Sequence, residues 1–192
     1  NYIQQNEVKG KDINLAVCFK NLGLVFQKQG EDTKALVCYS KSLDIFTSIS
    51  EYNPLEIAAI YLNIGSVYDG QGQYTEALEV NFQSLDICEL VSDEVGILKC
   101  YNCIGMTFFH QGEYNKALEY YFKAVNICQS TGKDHHPDLA ILYSNIGQVY
   151  HKQGEYAKEL EYSFKALEIQ KTVYGDNHPG VATSLNNIGL TF

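Results

Sequence analysis

A glycine returns along this chain at Gly23, Gly65, Gly105, Gly147 and Gly189, at intervals of 42, 40, 42 and 42 residues. A second follows in step at Gly30, Gly72, Gly112 and Gly154. Self-similarity at a fixed period of this size marks a repeat array, in which each unit is one supersecondary element stacked on its neighbours. Around each first glycine the same chemistry recurs. An aromatic stands four residues before it (Phe19, Tyr61, Tyr101, Tyr143), an aliphatic just before it (Leu22, Ile64, Ile104, Ile146, Ile188), and an aromatic three after it (Phe26, Tyr68, Phe108, Tyr150, Phe192). In the copy from Leu142 to Gln170, Tyr143, Ile146, Gly147 and Tyr150 keep helical spacing until Gly154 breaks it, and Leu160, Phe164, Leu167 and Ile169 start a second apolar stripe. Two amphipathic helices joined by a glycine turn are the expected unit. Neither buries its apolar face alone, so each pair must pack against itself and against adjoining copies.

At these residues the chain resembles the tetratricopeptide repeat (TPR) family. With the family's first position at Ala16, Ala58, Leu98, Ala140 and Ala182, the aromatic, the Leu-Gly pair and the Tyr of helix A fall in place. The small residue of helix B falls at Ala35, Ala77 and Ala117, and the next small position at Ser42, Ser84, Ala124 and Ala166. The resemblance covers residues 15–192 and implies an all-α fold, a TPR-type α-solenoid that winds antiparallel helix pairs into a right-handed superhelix. Three departures stand out. Glu159 replaces the helix B alanine; the helix B aromatic is displaced by one residue to Phe82, Phe122 and Phe164, with Asn81 and Ser163 at the usual site. The period is also about eight residues longer than the common 34-residue unit. The excess follows helix B, as in kinesin light chain repeats, whose linkers often read like His178-Pro179, and it predicts longer second helices or longer loops.

The array divides into residues 1–14, the tail of a preceding repeat and its linker, then repeats at 15–57, 58–97, 98–139 and 140–181, and a truncated first helix at 182–192. The linkers carry helix-start signals: Pro54, Pro137 and Pro179 sit where a fixed φ and a missing N–H are tolerated. The 98–139 repeat is entered without proline, and Ser92 or Asp93 is its N-cap candidate.

Composition narrows the function. All 14 basic residues are Lys and the net charge is −9, which leaves no basic face for nucleic acid or an anionic membrane. No apolar run approaches the ~20 residues that a membrane span requires. Between Ser42 and Leu98 there are ten acidic residues and no Lys. That segment is read as a solvated outer face or an acidic docking patch for a basic partner. Cys100-x-x-Cys103 with His110, and His135 with His136, lack the further ligands that a metal site requires, so the six cysteines are read as small buried thiols in a reducing, cytoplasmic setting. No acid, base and nucleophile constellation is present, and no cofactor or metal is expected.

What remains is a surface. At about 100° per residue, one face of each helix A turns towards helix B and the opposite face is free. In the TPR superhelix that opposite face lines the concave groove. Here it carries Lys20 and Asn21; Asn63 and Ser66; Lys99, Asn102, Met106 and His110; Ser144, Asn145, Gln148 and Lys152; and Asn186 and Asn187, with Leu24, Lys28, Leu62, Cys103, Phe109 and Leu190 beside them. The recurring Asn21, Asn63, Asn145 and Asn187 are mildly unfavourable in mid-helix, so their repetition asks for a reason. An amide side chain both donates and accepts, matching the backbone of an extended peptide. The resemblance implies the same use, and inter-repeat hydrogen bonding or simple inheritance by duplication is the competing explanation. The expected function is therefore a non-enzymatic adaptor or scaffold holding a peptide segment of a partner protein. The alternatives are a regulatory domain of a larger enzyme and a scaffold that assembles through its ends or convex face.

Overall fold

The computed structural model describes residues 2–49, 53–130 and 136–190, with side chains from Asp12 onward except those of Thr183, Asn186, Asn187 and Leu190. Among them run nine helices and no strand: α1 (Tyr2–Lys28), α2 (Asp32–Ser48), α3 (Pro54–Gly70), α4 (Tyr74–Leu90), α5 (Glu94–His110), α6 (Tyr114–Ser130), α7 (Pro137–Lys152), α8 (Tyr156–Tyr174) and α9 (Pro179–Leu190). The chain forms two compact units, Asn1–Cys103 and Ile104–Phe192, and the division falls inside α5. In the first unit α1 pairs with α2 and α3 with α4, and α2 packs on α3. The second repeats the arrangement with α7 on α8, α6 on α7 and α8 on α9.

The glycine turn is built the same way four times. Gly30, Gly72, Gly112 and Gly154 have φ of 74°, 74°, 81° and 75°, a left-handed conformation that costs a residue with a β-carbon. The next N–H folds back over the helix end: Glu31, Gln73, Glu113 and Glu155 each donate at 2.9 Å to the carbonyls of Phe26, Tyr68, Phe108 and Tyr150. This C-terminal cap satisfies carbonyls that the ending helix would leave bare.

Helix starts follow the linker residues. Asn53 accepts from the Leu55 N–H at 3.0 Å with Pro54 in the first helical turn. His136 and His178 cap α7 and α9 in the same manner, each Nδ1 accepting an N–H two residues on, at 3.2 and 3.1 Å. Of the two candidates before α5, Asp93 is the cap, accepting from the Gly96 N–H at 3.1 Å. Ser92 takes the glycine's part in closing α4: its φ is +56°, and Asp93 N donates to the Cys88 carbonyl at 2.9 Å.

Packing within a pair explains the first glycine. A β-carbon on Gly23 would lie 2.5 Å from Tyr39 Cε1, and one on Gly105 would lie 2.7 Å from Tyr121 Cε1. Both tyrosines are fully buried. The expected displacement of the helix B aromatic therefore needs correcting. In α2 and α6 a tyrosine fills the regular site against the glycine, while Phe122 beside Tyr121 is only half-buried and Phe164 is half-exposed. The site lacks a ring only in α4 and α8, where buried Asn81 faces Gly65 and Ser163 faces Gly147. Ser42 and Ser84 fix the same interfaces by donating to the carbonyls of Ala16 and Ala58, at 2.7 and 2.8 Å.

Two other expectations give way. No turn interrupts residues 2–28: Gly10 alone, without proline, costs a helix only about 1 kcal/mol, and α1 runs through the expected linker. The long period goes partly into the second helices, which span 17 to 19 residues. The linker glycine, Lys133 and His135 lie outside the described residues. The thiols are buried as expected at Cys38, Cys88, Cys100 and Cys128, but Cys103 is half-buried and Cys18 is exposed. Cys18 shares a stripe of α1 with half-exposed Leu15, Leu22 and Val25, whereas the matching stripe of α3, Ile57, Ile60, Ile64 and Val67, is buried.

Candidate functional site

The free face of each helix A is positioned from below by the buried face just described. In the first unit, α1 and α3 lie side by side, tied by two polar contacts. Gln27 Nε2 donates to Ser66 Oγ at 3.1 Å, and Lys20 Nζ lies 2.5 Å from Glu56 Oε2. Gln27 is itself oriented by the buried ring beneath it, because Tyr39 Oη donates to its Oε1 at 2.8 Å. A chain of hydrogen bonds thus runs from the core of one helix pair to the surface of the next.

Around these anchors stand the sequence-predicted residues. Asn21 is exposed and Asn63 half-buried, and among the described residues neither amide has a hydrogen-bond partner in the protein. A pair of unengaged amides at one repeat register offers donors and acceptors at fixed spacing. Ser66 and Lys99 are exposed and Asn102 is half-buried. Lys20 belongs to this face but its charge is answered by Glu56, so it acts as a brace between helices rather than a free cation. Cys103, beside Asn102, is a shielded thiol: burial pushes it up to about 11, and the carboxylate of Asp69 adds to the shift.

In the second unit Met106, Ser144 and Asn145 are half-buried, and His110, Gln148 and Lys152 are exposed. Ser144 turns its hydroxyl back to the Ala140 carbonyl at 2.9 Å, which spends its donor inside α7. Helix B supplies a further polar group: Glu159, standing where Ala35, Ala77 and Ala117 stand in the other pairs, places Oε2 2.9 Å from His151 Nδ1. Asn186 and Asn187 lie on α9, and their side chains are outside the described residues.

Sequence reasoning missed Glu56, Gln27 and the His151–Glu159 contact. Glu56 was legible only as an acidic residue at a helix start; Gln27 gave no periodic signal, since its counterparts are Asp69, Phe109 and His151. Among the described residues no group of three His, Cys, Asp or Glu is placed to hold a metal. The Cys88 and Cys100 thiols touch, with Cys100 Sγ 3.3 Å from Ser84 Oγ. Burial pushes Cys100 up to about 12, which holds it as an unreactive thiol. No described helix is long and apolar enough to cross a membrane.

Paired helices closed by glycine caps, with small and aromatic residues interlocked between them, define a helical repeat protein. A sequence profile described as Tetratricopeptide repeat matches residues 5–90 and 97–163, and the chain belongs to that family. No curated protein sequence matches it. Among solved structures it is similar to BtubC (BKLC) from P. vanneervenii, at 19% identity and a TM-score of 0.80, covering 98% of this chain and 82% of that one. A putative kinesin light chain with nearly identical TPR-like repeats from Podosopora anserina aligns at 17% identity and a TM-score of 0.74, covering 94% and 86%. Aspartyl phosphate phosphatase F from Bacillus subtilis aligns at 16% and 0.81, covering 93% of this chain but 44% of that one. At these identities the likeness is one of fold, and it includes the kinesin light chain-like form that the long period implies.

Proposed function

We propose that the chain is a non-enzymatic protein interaction module that holds an extended peptide segment of a partner along the free faces of its first helices. The observation that carries this reading is that Asn21 and Asn63, equivalent residues on adjacent α1 and α3, present side-chain amides that no protein group engages. Had the asparagines served to join repeats, these two should bond each other or a neighbouring helix. Instead Gln27–Ser66 and Lys20–Glu56 join the helices, leaving the amides to grip peptide N–H and C=O groups. In the first unit Lys99 and Asn102 add polar contacts; in the second, taken by itself, Asn145 and Asn187 hold the same repeat position, with Met106, His110, Gln148, Lys152 and Asn186 as further contacts. No cofactor enters this reading. The repeats are read as 15–57, 58–97, 98–139 and 140–181, and a cytoplasmic setting follows from the buried thiols.

The test is a peptide array against the intact protein, followed by the Asn63→Ala, Asn145→Ala, Asn187→Ala triple variant. Peptides captured by the native chain should be lost by the variant while its helical spectrum and melting temperature hold. Unchanged capture by a folded variant overturns the reading.

A further inference from the structure

The outer faces of the second helices follow a rule that one of them breaks. In α2, α6 and α8 a lysine on the solvent side covers an aromatic ring of its own helix pair: Lys34 lies 5.3 Å from the centroid of Phe26, Lys116 5.4 Å from Phe108, and Lys158 4.9 Å from Tyr150. Seven residues on, a second lysine repeats the contact in α2 and α8, while in α6 Lys123 lies 4.4 Å from the centroid of Tyr120 in its own helix. Lys41 lies 5.3 Å from Phe19, and Lys165 5.9 Å from Tyr143 and 4.6 Å from Tyr162. An ammonium over a ring face is held by the negative centre of the π system. Carboxylates steady most of these lysines, as in Lys116–Glu113 and Lys165–Glu161.

In α4 the two lysine positions are Glu76 and Gln83, while the rings they would cover, Tyr68 and Tyr61, are retained and half-buried. Among the described residues neither ring meets a cation or another ring. The carboxylates remain: Glu79, Asp86 and Glu89 are exposed along the same helix and, like Glu76, enter no ion pair. Leu90, 85% exposed, ends the strip. The counterparts of Tyr68 hold an ammonium in the other three pairs and those of Tyr61 in the pairs of α2 and α8; both rings are intact here, with Glu76 and Gln83 in place of the lysines.

We propose that the solvent face of α4 is a docking site for a basic segment of a partner protein, whose lysine or arginine side chains take the two positions over Tyr68 and Tyr61. Seven helical residues separate those positions, about 10 Å at 1.5 Å per residue. The partner therefore presents two cations at i and i+7 of a helix, or at i and i+3 of a polyproline II segment, where three residues of about 3.1 Å each complete a turn and return to the same face. Charge complementarity selects it: the chain carries a net charge of −9, and residues 42–98 contain ten acids and no lysine. This site lies on the second helix of a pair, apart from the peptide-binding reading above, and stands or falls without it.

The probe is a pair of synthetic proline-rich 12-mers, semi-rigid in the polyproline II form, with arginines at i and i+3 or at i and i+1, titrated into the intact protein by calorimetry and followed by the tyrosine ring resonances. The i,i+3 peptide should bind more tightly and shift the Tyr61 and Tyr68 signals. The E76K/Q83K variant installs the ammonium groups in cis and should weaken binding roughly tenfold, since the rings are then occupied. The E89K/D86N variant changes the net charge by the same amount away from the ring positions, and a loss of only about two- to threefold is expected from screening-limited attraction. Equal losses in the two variants, equal affinity for the two peptides, or ring signals that do not move would each overturn the proposal.

Discussion

Tyr39 packs against Gly23, its ring so close that a β-carbon on the glycine would fall 2.5 Å from Cε1 and 2.7 Å from Cδ1. Tyr121 does the same to Gly105. A fully buried ring has nowhere to retreat, so Gly23→Ala and Gly105→Ala should each cost about 1–3 kcal/mol through overpacking. Gly147 faces Ser163, whose Oγ would lie 3.3 Å from the new carbon and can rotate away. There a gain in helix propensity of up to about 1 kcal/mol offsets the tight contact, leaving Gly147→Ala near neutral. Urea melts of the three variants check the order, and equal losses would refute it.

Ser92 carries the only positive φ among the described non-glycine residues, at the end of α4, in the left-handed region of φ that Gly175 occupies at the end of α8 with φ of 81°. Replacing it by glycine removes the steric cost of the left-handed conformation. Ser92→Gly should raise stability by about 1 kcal/mol, and thermal melting at fixed pH reads the gain. A lowered melting temperature would mean that the serine side chain contributes something the geometry does not show.

Burial sets a response to alkali. The thiols of Cys100 and Cys103 are pushed from 9.0 up to about 12 and about 11, and the Tyr39 hydroxyl from 10.0 up to about 12. A raised folded value means that, above pH 9, the unfolded chain has released protons that the folded chain retains, so stability falls as pH rises. The contribution is complete below pH 9 and is lost between about 9 and 12. Melting temperatures recorded from pH 8 to 11 should decline over that window, and Cys100→Ala should flatten the decline. A profile equally steep in the variant would assign the effect to other groups.

Glu159 introduces a carboxylate where its counterparts are buried alanines, and His151 meets it at 2.9 Å. Removing the imidazole leaves a largely covered carboxylate without that partner, whereas removing the carboxylate restores the small residue found elsewhere. A double-mutant cycle with His151→Ala and Glu159→Ala should give a favourable coupling of about 0.5–1 kcal/mol at neutral pH. Strictly additive losses would show that the contact contributes nothing.

The lysine rule of the outer faces shows how sequence and structure divide the information. Lysines four and eleven residues after the turn glycine are plain in the sequence at Lys34 and Lys41, Lys116 and Lys123, Lys158 and Lys165. Their meaning is not, because only the folded pair reveals that each one lies over a ring from the other helix or its own. The helix B aromatic is a similar case. Tyr121 and Phe122 are adjacent, and a one-residue step along a helix, about 100°, decides which enters the core.

By itself the sequence determined the period, the helix pairs, the turn glycines and the family, because these depend on local spacing and on backbone conformations that few residues adopt. Only the tertiary structure decided that Lys20 is neutralised by Glu56, that Gln27 links Tyr39 to Ser66, and that Asn21 and Asn63 stay unengaged. Those facts arise where residues about 10 to 40 positions apart meet across helices, and whether a polar side chain is spent or available is fixed by its neighbours in space.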